Sequence, residues 1–272
     1  MKKTILISGV TGAIGGAAAL EIAKTGANVV LLARDKGKLE QLKNDIIQKT
    51  GNSNIDILLA DLSSIASIKN AVKEFKQKYT RLDALVNVAA VYNGTRSTTK
   101  DNLESMFAIN HLAPFILTTE LLDLLKATGA ARVVTVSAPS TTKLNFDDLQ
   151  STKKYSALNA FGASKMMNLM FTYALARRIE GTGVTATVMH PGVVKSNLIN
   201  EMPVILKFIF GLFAAKPDAA AKRLSSLATD NQYANANGKF FKYDGKEMTS
   251  SGYSYDQALQ EKLWSISAQL AK

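Results

Sequence analysis

Short runs of β-branched and leucine residues alternate with stretches of helical periodicity along nearly the whole of this sequence, and that rhythm constrains the fold more than any other feature. Residues 3–8 read as a strand, 13–25 as a helix closed by Gly26, 28–33 as a second strand and 35–50 as a second helix closed by Gly51. The strand signal returns at 55–59, 84–89, 132–137 and 184–189, with helical patterns between, and at 238–241 as a last short strand. A capping-box pattern, Ser254-Tyr255-Asp256-Gln257, then introduces a final helix containing Trp264. Strands that alternate with helices pair in parallel, and a parallel sheet needs helices on both faces. The prediction is an α/β chain: one doubly wound parallel sheet of about seven strands, in a single domain over residues 1–272. No internal repeat, Pro-rich linker or low-complexity segment divides it.

The first strand runs into Ser8-Gly9-Val10-Thr11-Gly12-Ala13-Ile14-Gly15, and an alanine-rich helix follows at once. Glycine there lets the backbone turn tightly and approach a pyrophosphate, whose charge is met by the unpaired N–H groups at the helix start. Glycine also ends strands for steric reasons alone; its place between a first strand and a first helix is what points to a dinucleotide. The end of the second strand selects which one. A carboxylate there would hold a ribose 2′-hydroxyl, whereas an arginine suits a 2′-phosphate. The residues are Ala33 and Arg34, and the following Asp35 is placed to cap the next helix. Arg34 can grip phosphate with two parallel N–H bonds, which favours NADP(H) over NAD(H).

Other motifs stand at the remaining strand ends. Asp61-Leu62 follows the third strand, Asn87-Val88-Ala89-Ala90 the fourth, and Asn110-His111-Leu112 comes between the fourth and fifth. Phe161-Gly162-Ala163-Ser164-Lys165 continues through Leu175-Ala176-Arg177-Arg178 to Gly183-Val184-Thr185, and His190-Pro191-Gly192-Val193-Val194 follows the sixth strand. Together with the glycine turn, these segments make the sequence resemble the short-chain dehydrogenase/reductase family, and within it the retinol-dehydrogenase-like branch, over nearly the whole chain. The resemblance implies a Rossmann-type fold and NADP(H)-dependent carbonyl reduction or alcohol oxidation. It places the cofactor on Gly9, Thr11, Gly12, Ala13, Ile14, Gly15, Arg34, Asp61, Leu62, Asn87, Ala89, Lys165, Pro191, Gly192 and Val194.

In that family an Asn-Ser-Tyr-Lys tetrad does the chemistry. Tyr protonates the carbonyl oxygen as hydride arrives, Lys lowers the phenol's pKa and binds the nicotinamide ribose, Ser holds the substrate oxygen, and Asn supports a water relay behind Lys. Asn110 and Lys165 match, but Phe161 stands at the Tyr position and Ala138 at the Ser position. A positioned general acid is worth about 10²–10⁴ in rate and one oxyanion donor about 10²–10³, with losses that do not simply multiply. Redox turnover is expected to be severely impaired. Ser137 is expected to point away from the slot of Ala138, since alternate strand residues face opposite ways. Tyr92, Ser140, Tyr155 and Phe208 are expected to line the substrate pocket. Three readings of the two substitutions follow: an engineered, inactive variant that holds substrate and cofactor together; a natural relative using the pocket for non-redox chemistry such as cyclisation or isomerisation; or an NADP(H)-binding pseudoenzyme. The undamaged remainder of the framework favours the first.

Composition limits the other function classes. The 33 Lys and Arg against 22 Asp and Glu give a charge of +11, but the lysines fall singly on helix faces, without the aromatic interleaving of a nucleic-acid site, so no nucleic-acid partner is expected. The absence of cysteine removes disulfides and thiol chemistry, and His111 and His190, the whole histidine complement, lack the partners of a metal site. No apolar run reaches the length of about 18 residues needed to cross a bilayer, and the apolar start is too short for a secretion signal, which leads to the expectation of a cytoplasmic protein. Residues 196–230, with the apolar stretch 202–213, are expected to form a lid over a hydrophobic small molecule. Pairing through the helices that flank the Phe161–Lys165 segment, as a homodimer or homotetramer, is implied by the resemblance.

Overall fold

The computed structural model describes residues 2–194 and 216–272. Seven strands lie parallel: β1 (Thr4–Ser8), β2 (Asn28–Ala33), β3 (Ile55–Leu59), β4 (Ala84–Asn87), β5 (Arg132–Val136), β6 (Thr185–His190) and β7 (Lys239–Lys242). An eighth, β8 (Glu247–Met248), turns back antiparallel onto β7. All eight form one sheet in the order β3-β2-β1-β4-β5-β6-β7-β8. The sheet expected from the sequence is present; β8 was not anticipated, because two residues carry no periodicity.

The strands show runs of buried residues because both sheet faces are covered. Alternate residues divide between the faces. Leu6, Val30, Leu32, Leu85 and Val133 meet α3 (Ile65–Lys78), α4 (Ala113–Glu120) and α6 (Ala157–Arg178) through Val72, Phe75, Phe115 and Met170. Ile5, Ile7, Val29, Leu31 and Val134 meet α1 (Ala13–Ala23), α2 (Lys36–Thr50) and α7 (Asp218–Thr229) through Ala19, Ile22, Leu39 and Leu224. A short α5 (Leu122–Thr128) leads into β5, and α8 (Gln257–Leu270) closes the fold.

The helix boundaries follow from the caps. Asp35 accepts from the Lys38 N–H at 3.0 Å, as its position implied, and α2 ends at Gly51 with φ 69°. At α8 the capping-box reading is corrected: Asp256 is the N-cap, accepting from the Leu259 N–H at 3.0 Å. Ser254 instead sits in the preceding helical turn and donates to the Ser251 carbonyl at 2.6 Å.

Helix α8 lies along α6. Trp264 packs against Phe115 and Phe171 with ring centroids 5.0 and 5.7 Å away, and the Arg178 guanidinium lies 4.0 Å from its ring. Glu261 bridges Arg177 and Arg178. The Phe171–Arg178 stretch, on one of the helices expected to serve for pairing, is thus covered from within the chain. Of the expected lid, residues 196–215 lie outside the described residues, and Phe208 with them. Its later part is α7, whose Ala220, Ala221 and Leu224 are buried in the helical layer beside α1. No helix among the described residues is long and apolar enough to cross a membrane.

Candidate active site

The glycine turn brings three backbones together. Gly9, at the end of β1, has φ 73°, a conformation glycine adopts without strain, and the chain folds back so that the Gly12 N–H donates to the Gly9 carbonyl at 3.1 Å. A Cβ on Gly15 would fall 2.3 Å from the Gly9 oxygen, and one on Gly9 would fall 2.5 Å from the Ala89 nitrogen. A side chain at Gly15 would therefore separate α1 from the end of β1, and one at Gly9 the end of β1 from the tail of β4. Helix α1 begins with no side chain capping its first N–H groups and no acid in its first turn, and Thr11, Gly12 and Ala13 are exposed with Ile14 half-buried. An open helix start of this kind attracts an anion, so the residues present fit the pyrophosphate of a nicotinamide dinucleotide.

Along the same strand ends, Arg34 is exposed after β2 and Asp61 and Leu62 are half-buried after β3. Burial works against the Asp61 charge, but the Ser63 hydroxyl at 2.7 Å, the Ser63 N–H at 3.0 Å and the fields of Arg34 and Lys100 hold its carboxyl below the usual range. Arg34 is thus close enough for Asp61 to feel its charge. Asn87 closes β4 with its amide donating to Thr118 at 3.3 Å, while its buried side-chain oxygen has no partner among the described residues. After β6, Pro191 is half-buried and Val194 buried. Gly192 has φ 74°, and a Cβ there would meet the Tyr243 ring at 2.7 Å.

The four tetrad positions converge around the first turns of α6. Asn110 lies in a π-helical segment (Phe107–Leu112), a local widening often found at functional sites. Its side-chain oxygen accepts from the Val91 N–H at 2.8 Å, and its amide donates to the Val91 carbonyl at 2.9 Å and the Ser164 hydroxyl at 3.1 Å. Asn168 donates to the Asn110 carbonyl at 2.8 Å, so Asn110 ties the tail of β4 to α6. Lys165 is 6% exposed, and burial lowers its ammonium to about 8. The Phe161 ring stands 4.9 Å from its Nζ, within cation–π range. Among the described residues no carboxylate or hydrogen-bond acceptor reaches that Nζ. Ala138 is half-buried just beyond β5, next to Ser137, whose hydroxyl donates to the Lys165 carbonyl at 2.9 Å.

Neighbouring hydroxyls are largely committed to other partners. Ser140 donates to the Gly162 carbonyl at 2.8 Å and Ser164 to the Phe161 carbonyl at 2.7 Å. The Tyr155 phenol donates to the Asn93 carbonyl at 2.6 Å; burial, then the charges of Glu104 and Tyr92, push it up to about 12. Tyr155 precedes α6 rather than lying on it. Tyr92 is 1% exposed and sets its ring edge-on to Phe161 at 5.6 Å, with no partner for its hydroxyl among the described residues and burial raising its pKa.

Sequence reasoning named the tetrad positions but missed Ser164 and Asn168, which support Asn110, and Thr118, the partner of Asn87. Ser164 stood inside the quoted motif beside Lys165; the other two gave no local signal. His190 closes β6, where burial, then the fields of Lys242 and Lys165, lower its pKa. His111 is fully buried, its Nε2 2.8 Å from the Ser267 hydroxyl, and burial lowers it to about 4. No group of residues suited to a metal occurs among the described residues.

The family profile described as short chain dehydrogenase matches residues 3–203. Retinol dehydrogenase 14 of Homo sapiens is 35% identical over 286 residues, which cover 97% of this chain and 85% of that protein. Polyprenol dehydrogenase of Homo sapiens is 34% identical over 280 residues, covering 98% and 84%. Among solved structures, an uncharacterized protein from Mycobacterium Paratuberculosis matches with a TM-score of 0.79 at 27% identity, covering 99% of this chain and 93% of its own. An actinorhodin polyketide ketoreductase with NADPH matches with a TM-score of 0.71, covering 93% and 98%; at 19% identity that likeness speaks for the fold alone.

Proposed function

This chain belongs to the short-chain dehydrogenase family of NAD(P)-dependent oxidoreductases, and from that premise we propose that it binds NADP(H) beside Lys165 together with a hydrophobic carbonyl compound or alcohol, with redox turnover impaired at positions 138 and 161. The observation that carries the proposal is the Lys165 ammonium facing the hydrocarbon ring of Phe161 at 4.9 Å, in a site whose Asn110 framework is intact.

The nucleotide, when bound, supplies the hydride. Gly9 and Gly12 would let its pyrophosphate approach the turn, unpaired backbone N–H groups at the start of α1 would hold it, and Arg34 would offer a fork of donors to a 2′-phosphate. Asp61 and Leu62 would border the adenine end, and Asn87, Ala89, Pro191, Gly192 and Val194 the nicotinamide end, with the Lys165 ammonium available to ribose hydroxyls. Carbonyl reduction also needs a donor at the substrate oxygen as negative charge develops there. Phe161 and Ala138 carry none, Ser137, Ser140, Ser164 and Tyr155 have their protons directed to backbone carbonyls, and the Tyr92 phenol, unpartnered among the described residues, is buried behind the Phe161 ring with its pKa raised. The apolar substrate class is supported by the names of the relatives, retinol and polyprenol dehydrogenases, and by the cluster in which partly buried Tyr155 and Phe161 pack on buried Tyr92 and Met106.

Titration with NADPH and NADH, followed by calorimetry at low salt, tests the reading. A saturable NADPH isotherm with weaker NADH binding is expected, and no saturable NADPH signal would refute it.

A further inference from the structure

Retaining Lys165 opposite a phenyl ring leaves a buried primary amine with no acidic neighbour among the described residues. Its main-chain carbonyl is pinned by the Ser137 hydroxyl at 2.9 Å, which fixes where the side chain starts. The Nζ has the Phe161 ring on one side and neither carboxylate nor hydrogen-bond acceptor among the described residues. It stands by the carboxyl ends of β5 and β6, where open α/β sheets admit ligands. Of the nearby titratable groups, His190 is held toward neutrality by burial and by Lys242 and Lys165, and burial raises the pKa of Tyr92, which packs against Phe161, so neither supplies a negative charge to the ammonium near neutral pH.

We propose that Lys165 captures hydrophobic aldehydes covalently as an imine. This rests on the proposed function only for the apolar carbonyl class that enters the cleft. The neutral Nζ lone pair adds to the carbonyl carbon and the carbonyl π pair takes up a proton on oxygen. Loss of water from the resulting carbinolamine then forms the C=N bond. Amine and aldehyde thus give imine and water, with nothing oxidised or reduced. A tyrosine at 161 would present a hydroxyl that hydrogen-bonds the amine and, once ionised, holds it protonated; phenylalanine leaves the lone pair available. Burial adds to this: with an ammonium near 8, about one Lys165 in ten is neutral at pH 7, roughly 300-fold more than for an ordinary lysine. The hydroxyl nucleophiles of Ser137, Ser140 and Ser164 are already engaged as donors.

The test uses the full chain without added nucleotide, decanal as the probe and cyanoborohydride to reduce any imine to a stable secondary amine, followed by peptide mapping at pH 7. Lys165 is expected to be alkylated at least about tenfold faster than the median lysine, and Phe161→Tyr is expected to slow that labelling severalfold. Labelling of Lys165 at or below the median overturns the proposal in the unaltered chain, whatever Lys165→Met does to folding. Unchanged labelling in a folded Phe161→Tyr protein also overturns it. A parallel sample with saturating NADP⁺ separates the two readings. Protection places the nucleotide at Lys165, whereas fast labelling that NADP⁺ leaves untouched supports the imine and counts against the nucleotide placement.

Discussion

Restoring the two hydroxyls, Phe161→Tyr with Ala138→Ser, should convert the site into a working reductase. The Phe161 ring stands 4.9 Å from the Lys165 Nζ, braced edge-on by Tyr92 and only partly buried, so a phenol oxygen on that ring is carried into the cleft beside Lys165. The ammonium beside it favours the ionised phenol and lowers its pKa towards the working range. At 138 the side chain is half-buried beside Ser137, and a serine adds one oxygen to an existing Cβ. A general acid contributes about 10²–10⁴ and an oxyanion donor about 10²–10³; since the two act as a unit, the combined gain should fall near 10³–10⁵, or about 4–7 kcal/mol of barrier. Phe161→Tyr alone should recover most of this, and Ala138→Ser alone less than about tenfold, because a hydrogen bond without a proton source leaves the alkoxide unquenched. NADPH absorbance with a panel of apolar aldehydes and ketones measures each variant. A double variant that binds NADPH as tightly as the parent yet oxidises it no faster across the panel would refute the reasoning.

Replacing Arg34 with Glu should remove the preference for NADPH and weaken its binding by at least about tenfold while leaving NADH nearly unchanged, as read by calorimetry. His111 contributes a pH dependence of stability. Its folded pKa of about 4 lies below the unfolded value near 6.5, so the folded state is fully favoured above pH 6.5 and loses about 1.4 kcal/mol per pH unit as pH falls from 6.5 to 4; denaturant midpoints for the parent and for His111→Gln should diverge over that window. Trp264→Ala should cost about 3 kcal/mol by removing the ring between Phe115, Phe171 and Arg178, a loss visible in the urea midpoint. Asp256→Ala should cost about 1 kcal/mol through the lost α8 cap, whereas Ser254→Ala should leave the start of that helix unfrayed in hydrogen exchange.

The alternation of strand and helix was legible because parallel strands are buried on both faces and because Asp35, Gly26 and Gly51 mark helix ends by local chemistry alone. What the sequence could not display depends on contacts between distant segments. The α8 cap moved from Ser254 to Asp256 because a short helical turn takes Ser254 out of the capping position, and the packing of Trp264 on Phe171 joins residues 93 apart in the chain. At the site, the motifs identified where the four tetrad residues meet, but motif reading counts hydroxyls without showing where their protons go. Ser137, Ser140 and Ser164 donate to carbonyls of α6, and Tyr155 donates to the Asn93 carbonyl beyond β4. Recruiting any of them as an acid would first break the bond it already makes, at a net cost of about 1 kcal/mol. Those four hydroxyls are therefore poorly placed to replace the two missing ones; the Tyr92 hydroxyl, beside Phe161 and without a partner among the described residues, is buried and its pKa is raised by that burial, and Lys165 is left as the amine that no acceptor engages among the described residues.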